Sequence, residues 1–249
     1  MIDLRLGDCL EVMKTIEDNS IDAIITDPPY GTTACKWDSV IDFELMWEQL
    51  NRIIKPNGAI VLFGSEPFSS ALRISNIKNY KYDWIWDKVI SSGFLNAKLM
   101  PLKKHEIISV FVNKGKPTYN RQKHKRSISS NMKGHIKRVG KSYGESEKKV
   151  YGKINDNKLL NIDNDFKNPD SILIISKGNN RIKKHHPTQK PLELMEYLIK
   201  TYTNENETVL DFTMGSGTTM LACKNLNRNG IGIEKDPQYY AVAVARVDG

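Results

Sequence analysis

Residues 208–219 read Thr-Val-Leu-Asp-Phe-Thr-Met-Gly-Ser-Gly-Thr-Thr and predict a strand, a glycine turn and a helix in succession. The apolar run ends in Asp211, the loop carries Gly215 and Gly217 two positions apart, and residues 218–226 favour a helix. Glycines at such a turn let the backbone approach a ligand and leave helix N–H groups free. The third glycine of a dinucleotide fingerprint is absent, which argues against a nicotinamide or flavin cofactor.

A second strand supports this interpretation of the glycine turn. Residues 230–233 read Gly-Ile-Gly-Ile and are followed by Glu234, which comes 23 residues after Asp211. An acidic side chain at the end of the second strand is where a ribose diol is usually held. A two-glycine turn alone is often only a tight turn, but with Glu234 at this distance the pattern indicates an adenosine-containing ligand.

A second motif, Asp27-Pro28-Pro29-Tyr30, follows the apolar run of residues 21–26 and suits a specific chemical problem. The exocyclic amino group of a nucleobase is a poor nucleophile because its lone pair is delocalised into the ring. A carboxylate and a carbonyl that accept its two N–H protons would draw that lone pair out of conjugation. Two prolines fix φ, so the Pro28 carbonyl can face a rigid pocket, and Tyr30 offers a flat face for the base. The alternative is a plain strand-to-loop turn, since prolines end many strands.

Short apolar runs and helical patterns alternate along the rest of the chain. The predicted strands are residues 2–6, 23–26, 59–63, 80–89, 106–112, 171–176, 208–211 and 230–234, and the predicted helices are residues 10–16, 43–55, 67–78, 191–202, 218–226 and 237–247. This alternation indicates an α/β fold with a doubly wound, mostly parallel, Rossmann-like sheet, in which residues 80–89 and 106–112 form a hairpin. The loops that hold Asp27 and Asp211 would then meet at one carboxyl edge.

The two motifs together, residues 27–30 and 211–217, resemble the catalytic and cofactor motifs of amino-methyltransferases that act on DNA. The catalytic motif comes first and the glycine turn last, as in the circularly permuted β group of adenine-N6 and cytosine-N4 DNA methyltransferases. Three further segments fit that group, namely residues 6–9 (Leu-Gly-Asp-Cys), 61–65 (Val-Leu-Phe-Gly-Ser) and 186–191 (His-Pro-Thr-Gln-Lys-Pro). The resemblance spans residues 2–112 and 185–246.

The resemblance implies a reaction and a set of site residues. The expected reaction moves a methyl group from S-adenosylmethionine to N6 of an adenine that is flipped out of double-stranded DNA, without a metal. The residues expected to act in catalysis are Asp27, Pro28, Pro29 and Tyr30. The residues expected to bind the cofactor are Asp8, Cys9, Asp27, Thr188, Lys190, Asp211, Phe212, Gly215, Ser216, Gly217, Thr218, Glu234 and Lys235.

The identity of the target leaves alternatives. Adenine is favoured because the catalytic motif begins with Asp27, whereas family members that begin with Ser more often methylate N4 of cytosine. Cytosine-N4 methylation of DNA stays open, as do methylation of adenine in RNA and a DNA-binding relative without activity. A protein-glutamine methyltransferase is disfavoured, because that class usually has Asn in place of Asp27 and places the glycine turn first.

The basic charge of the chain is concentrated in one segment. The net charge is +8, but residues 113–190 hold 20 Lys and Arg against 6 Asp and Glu, a balance of +14, so the rest carries −6. Such a segment predicts binding to a polyanion, although a solvated loop without a partner has the same composition. By resemblance, residues 113–184 are a target-recognition insertion in a catalytic domain of residues 1–112 and 185–249.

Other sequence features bear on location and partners. No apolar run approaches about 18 residues, so no membrane-spanning helix is expected, and the N-terminal residues lack the pattern of a signal peptide. Cys9, Cys35 and Cys223 are widely spaced and odd in number, which suits neither a disulfide framework nor a metal site and predicts a reducing cytosol. The resemblance also implies a homodimer and a companion restriction endonuclease as candidate partners.

Overall fold

The computed structural model describes residues 1–32, 38–125, 166–178 and 189–249. It divides into two compact units, one formed by Met1–Asn120 with Ser171–Gly249 and the other by Arg121–Asp170. The predicted insertion, residues 113–184, therefore contains the whole second unit, and its boundaries stay a prediction. No helix among the described residues combines the length and the apolar character needed to cross a bilayer.

The described residues form ten strands and six α-helices. The strands are β1 (Ile2–Leu6), β2 (Ile21–Thr26), β3 (Ile54–Gly64), β4 (Tyr80–Ser92), β5 (Lys103–Phe111), β6 (His124–Lys125), β7 (Phe166–Lys167), β8 (Ile172–Ile174), β9 (Thr208–Asp211) and β10 (Asn229–Glu234). The α-helices are α1 (Cys9–Met13), α2 (Phe43–Ile53), α3 (Phe68–Ser75), α4 (Leu192–Tyr202), α5 (Thr218–Asn225) and α6 (Pro237–Asp248). A short 3-10 turn, Phe94–Asn96, lies between β4 and β5.

Eight of the described strands form one sheet in the order β1-β10-β9-β2-β3-β5-β4-β8. The strands β1, β10, β9, β2 and β3 are parallel to one another, and β8 is parallel to β4. The strand β5 runs antiparallel to both β3 and β4, which confirms the predicted hairpin. In the second unit, β6 and β7 pair antiparallel. The predicted α/β fold with a doubly wound, mostly parallel sheet is therefore confirmed.

The strand that precedes the Asp-Pro-Pro-Tyr motif lies beside the strand that precedes the glycine turn. In the ladder between β2 and β9, Ala23 is opposite Val209 and Ile24 is opposite Leu210. Because the two strands run in the same direction, the segments that follow them leave the sheet at the same edge. The sheet topology thus brings together two motifs that are about 180 residues apart in sequence.

Helices cover both faces of the sheet and bury two apolar clusters. Ala23 and Ile25 of β2 point to the cluster that includes α4, α5 and α6, whereas Ile24 points to the cluster that includes α1, α2 and α3. A central parallel strand must be apolar on both faces, and all three side chains are fully buried. Full burial of a side chain such as Ile24 stabilises the fold by about 1.5–3 kcal/mol.

Several element boundaries differ from the sequence-based prediction, and the ends of two helices show a local cause. The helix predicted over residues 43–55 ends at Ile53, and β3 begins at Ile54, which pairs with Ile21. Pro56 restricts the preceding residue to extended backbone, so the helix cannot continue into it. The helix predicted over residues 67–78 ends at Ser75, since the Asn76 carbonyl accepts from the N–H of Asn79 in a turn.

Candidate active site

A cleft of about 340 Å³ opens at the edge where β1, β2, β9 and β10 end. This volume lies in the range of small-molecule binding sites. The residues predicted from sequence that line it are Asp8, Cys9, Asp27, Pro28, Pro29, Tyr30, Lys190, Asp211, Phe212, Gly215, Ser216, Thr218, Glu234 and Lys235. Among the other predicted residues, Gly217 is not part of this lining, and Thr188 lies outside the described residues. The cleft therefore brings together nearly the whole predicted set.

The carboxylate of Asp27 accepts a hydrogen bond on each oxygen. The Tyr30 hydroxyl donates to Oδ1, and the Lys190 ammonium donates to Oδ2. The side chains of this Asp27–Lys190 ion pair are only 22% and 10% exposed. Burial raises the pKa of Asp27, the Lys190 charge opposes that rise, and the nearby Glu106 adds to it. The orientation of the carboxylate is thus set from two sides, and its charge depends on Lys190.

Lys190 also contacts Glu106, a residue of β5 that sequence reasoning missed. The Lys190 Nζ lies 3.3 Å from Glu106 Oε2, and the Lys88 Nζ lies 3.5 Å from Glu106 Oε1. The first contact is an ion pair without hydrogen-bond geometry, so the buried Oε2 accepts no hydrogen bond. Burial lowers the pKa of Lys190, but Asp27 and Glu106 together raise it above its ordinary value. Burial raises the pKa of Glu106, but Lys190 and Lys88 bring it below its ordinary value.

Threonine hydroxyls connect the Asp27 loop to the glycine-turn loop. The Thr213 hydroxyl donates to the Asp27 carbonyl at 3.1 Å and lies 2.8 Å from the Thr26 hydroxyl. The Thr26 hydroxyl in turn donates to Asp211 Oδ1 at 2.5 Å. These two donated hydrogen bonds fix the two loops at one position relative to each other.

Asp211 is the most deeply buried acid of the cleft. Its residue is 3% exposed, and its Oδ2 accepts a 2.5 Å hydrogen bond from the Thr219 hydroxyl. Burial raises the pKa of Asp211 to about 6, against the opposing hydrogen bonds from Thr219 and Thr26. Asp211 is therefore ionised at neutral pH and becomes protonated in mildly acidic solution.

Glu234 receives two backbone N–H groups at the end of β10. Gly215 donates to its Oε2 at 2.9 Å and Asp236 donates to its Oε1 at 2.8 Å. Burial raises the pKa of Glu234, and these hydrogen bonds oppose the rise. The carboxylate keeps unused acceptor positions, so it can still accept hydrogen bonds from a ligand in the cleft.

Asp8, Cys9 and Lys235 lie at the ends of β1 and β10. Asp8 begins α1, accepting from the Leu10 N–H at 3.0 Å, and its Oδ2 lies 3.6 Å from the Lys235 Nζ. The Gly7 N–H donates to the Glu234 carbonyl at 2.9 Å, which keeps the two strand ends together. Burial, with a smaller effect of Asp8, raises the pKa of the Cys9 thiol to about 11. Cys9 is therefore an uncharged wall of the cleft.

Gly217 has a packing role at the start of α5. It adopts a φ of +76°, and a Cβ at this position would lie 2.9 Å from the Ala243 Cβ of α6. From the same helix, Arg246 Nη1 donates to the Ser216 carbonyl at 2.5 Å and to the Thr218 hydroxyl at 3.2 Å. Helix α6 thus supports the glycine turn on the side that Gly217 faces.

Asp38 holds the segment that follows the Asp-Pro-Pro-Tyr motif. Its carboxylate accepts from the backbone N–H groups of Tyr30 at 2.8 Å, Gly31 at 2.9 Å and Thr32 at 3.0 Å. The Tyr30 ring packs at 5.0 Å from the Phe68 ring, with 30° between their planes. Burial, followed by the charge of Asp27, raises the pKa of Tyr30 well above its ordinary value, so the hydroxyl remains a donor.

Glu106, Thr213 and Asp38 are cleft residues that the sequence-based set lacks. Thr213 lies inside the motif of residues 211–217, and Asp38 follows Tyr30 by eight residues, so closeness to a motif is the signal that could have found both. Glu106 lies 79 residues after Asp27 on an antiparallel strand, and no motif marks it.

Comparison with known proteins identifies the family. A family model described as DNA methylase, covering N6 and N4 methyltransferases, matches residues 21–245. The chain belongs to this DNA methylase family. Type II methyltransferase M.HpaI of Haemophilus parainfluenzae is 32% identical over 99% of this chain and 75% of its own length. DNA methylases of this family use S-adenosylmethionine to methylate amino groups of DNA bases, adenine at N6 or cytosine at N4, and belong to restriction-modification systems.

Two solved structures are similar over nearly the whole DNA methylase chain. The M1.HpyAVI–SAM complex has a TM-score of 0.66 and 27% identity, and covers 100% of each chain. The cytosine-N4-specific PvuII DNA methyltransferase has a TM-score of 0.69 and 19% identity, over 98% of this chain and 86% of its own. At that identity the PvuII enzyme shows a shared fold only.

Proposed function

We propose that this DNA methylase transfers the methyl group of S-adenosylmethionine to the exocyclic N6 of adenine in double-stranded DNA. The observation that carries the proposal is the contact between the two motif loops. The Thr213 hydroxyl, next to the glycine turn, donates to the Asp27 carbonyl at 3.1 Å, and Asp27 and Gly215 line the same cleft. A cofactor held by one loop and an amino group held by the other would then meet.

The cofactor is assigned to the ends of β1, β9 and β10. Asp8, Asp211 and Glu234 give this part of the cleft three carboxylates, which can accept hydrogen bonds from ribose hydroxyls and from an ammonium group. We assign the ribose to Glu234, the adenine to the neighbourhood of Asp8, and the methionine end to Asp211 and Gly215. When bound, the cofactor supplies a methyl group on a sulfonium, which is a good leaving group, so the protein contributes mainly position and electrostatics.

The target amino group is assigned to Asp27 and the Pro28 carbonyl. A carboxyl group accepts hydrogen bonds from the amino group most strongly while it is ionised and has an open acceptor position. Each carboxylate oxygen of Asp27 has two acceptor positions. Tyr30 occupies one position on Oδ1 and Lys190 occupies one on Oδ2, so each oxygen keeps one open acceptor position. The Lys190 charge favours the ionised form against the effect of burial. Lys190 is thus proposed as a positioning residue for Asp27, in addition to its predicted place beside the cofactor.

Duplex DNA is assigned to the basic segment. A target base inside a duplex is out of reach and must be flipped out, which costs a few kcal/mol. Residues 113–190 carry a balance of +14 charges, and their phosphate contacts would offset this cost. The same proposal keeps residues 113–184 as the target-recognition insertion, a homodimer and a companion endonuclease as partners, and the cytosol as the location.

We assign adenine rather than cytosine as the target because the chain has Asp27 where family members that methylate N4 of cytosine more often have Ser. The test incubates the protein with S-adenosylmethionine labelled on its methyl group and with unmethylated plasmid DNA, followed by nucleoside analysis. We expect label in N6-methyldeoxyadenosine. Label in N4-methyldeoxycytidine would overturn the base assignment, and label found only when RNA replaces the DNA would overturn the substrate assignment.

A further inference from the structure

The hairpin between β4 and β5 ends in an exposed apolar tip. This hairpin tip, defined as residues 89–102, holds large apolar side chains that face solvent. They are Val89, Ile90, Phe94, Leu95, Leu99 and Met100, and among them Leu95 is fully exposed, Leu99 is 82% exposed and Phe94 is 68% exposed. Single exposed apolar residues are ordinary, but a cluster of this kind marks a binding surface.

The charge around the hairpin tip favours a polyanionic partner. Residues 88–105 contain four lysines and no Asp or Glu, but Lys88 is buried against Glu106 and the half-exposed Lys104 pairs with Asp87. Of these lysines, Lys98 lies on the tip itself and is exposed. A surface that combines apolar tips with flanking lysines fits a nucleic acid duplex, since the lysines can contact phosphates while apolar side chains enter between base steps.

The position of the hairpin tip relates it to the candidate active site. Glu106 lines the cleft, and β5 begins only three residues earlier at Lys103, whose ammonium donates to Ser65 at the end of β3. At about 3.3 Å per residue, the base of the tip lies about 10 Å along the strand from Glu106. The tip is therefore at the same edge of the sheet as Asp27 and next to its cleft.

The backbone at the start of the tip is held in an unusual conformation. Val89 has a φ of +66°, a region that β-branched residues rarely adopt. Its N–H donates to Asp87 Oδ1 at 2.8 Å, which holds the chain at this bend. Such conformations cost free energy and tend to occur where a segment has a function.

The geometry points to the hairpin tip as a wedge that enters the DNA duplex and fills the space left by the flipped target base. This inference rests on the proposed function, because only an enzyme that flips a base leaves such a space. Leu95 and Leu99, the most exposed apolar side chains of the hairpin tip, would occupy the gap. The wedge should increase the rate of methyl transfer only when the target base must be removed from a paired stack.

The test compares two double variants on two DNA substrates. The tip variant is Leu95→Ser with Leu99→Ser, and the matched control is Ile74→Ser with Ile77→Ser, which changes two largely exposed apolar residues outside the tip. Sequencing of methylated plasmid DNA first identifies the methylated site. Methyl transfer is then measured on oligonucleotide duplexes carrying that site, either fully paired or with an abasic position opposite the target base. Light scattering gives the mass of each variant.

We expect the tip variant to lose about tenfold or more in kcat/KM on the paired duplex, and less than about threefold on the abasic duplex, where flipping is easy. The control should match the wild type on both. An equal loss on both duplexes, or no loss on either, would overturn the wedge. A lower mass of the tip variant in solution would also overturn it, because the tip would then be a contact between copies of this chain. A wild-type protein that leaves the plasmid unmethylated would refute the proposed function itself.

Discussion

Lys190 is the residue on which the charge of Asp27 depends. It lies between two buried carboxylates, Asp27 and Glu106. We expect Lys190→Met to lower kcat/KM at neutral pH by about tenfold or more, because Asp27 loses the nearby positive charge that favours its ionised form. The pKa of Asp27, already raised by burial, should rise further. The acid limb of the pH–rate profile should therefore move to higher pH, so that raising the pH restores part of the activity.

Lys55→Met is the matched control for Lys190→Met. It also removes a Lys–Asp ion pair, the 2.6 Å contact with Asp22, but Lys55 does not line the cleft. Its pH–rate profile should coincide with that of the wild type. A loss in Lys190→Met that is the same at every pH would contradict the role given to Lys190.

Asp211 gives cofactor binding a predicted pH dependence. Burial raises the pKa of Asp211 to about 6, so the carboxylate is ionised above this pH and protonated below it. If Asp211 holds the cofactor ammonium, which stays charged between pH 5 and 7, affinity must fall as the pH falls. At pH 5 only about a tenth of Asp211 is ionised, so calorimetry should find affinity about tenfold weaker than at pH 7.

The Asp211→Asn variant separates this effect from other acids of the cleft. Its affinity for S-adenosylmethionine should be weak and nearly constant between pH 5 and 7. If the variant keeps the full pH dependence of the wild type, another group such as Glu234, whose pKa is also raised, is responsible.

At the scale of elements, the contact between the glycine turn and α6 can be tested through Gly217. Gly217→Ala adds a Cβ that would lie 2.9 Å from the Ala243 Cβ, at a φ of +76°. Backbone strain and overpacking together should lower the free energy of unfolding by about 2–4 kcal/mol. Chemical denaturation of the variant and the wild type measures this difference.

Gly178→Ala isolates the contribution of the backbone. Gly178 has a similar φ of +86°, but nothing lies within 4 Å of its added Cβ. This variant should lose only about 1 kcal/mol, the cost of an alanine at positive φ. Equal losses in the two variants would mean that the approach of α6 does not require glycine at position 217.

Sequence patterns predicted the elements whose signals are local. The strands before Asp27 and Asp211 were predictable because both are continuous apolar runs that end at a motif, and their adjacency follows from the topology of parallel sheets. The start of β3 at Ile54 was missed, since its pairing with Ile21 is a tertiary contact that overrides local turn chemistry. Glu106 was missed because a lone acid on an antiparallel strand has no local signal.

At the scale of the whole molecule, the separation of charge predicts different salt dependences for the two ligands. If about six phosphates are contacted, log K for DNA should fall with log salt at a slope of about −5, while affinity for S-adenosylmethionine changes little. Replacing Lys123 and Lys125 by Gln should reduce the slope by about 2. Replacing Lys14 and Lys55, which lie outside residues 113–190, should leave it unchanged. Equal effects from both pairs would contradict the assignment of DNA to the basic segment.

The shared cleft of the two motifs is tested most directly by single-turnover methyl transfer to DNA with Asp27→Asn, alongside calorimetry of cofactor binding. The variant keeps the shape of the side chain but removes its charge and one acceptor oxygen. We predict a transfer rate at least about a hundredfold below wild type, with an affinity for S-adenosylmethionine within about threefold. A variant that transfers within about tenfold of the wild-type rate would contradict the role of Asp27 as the acceptor of the target amino group.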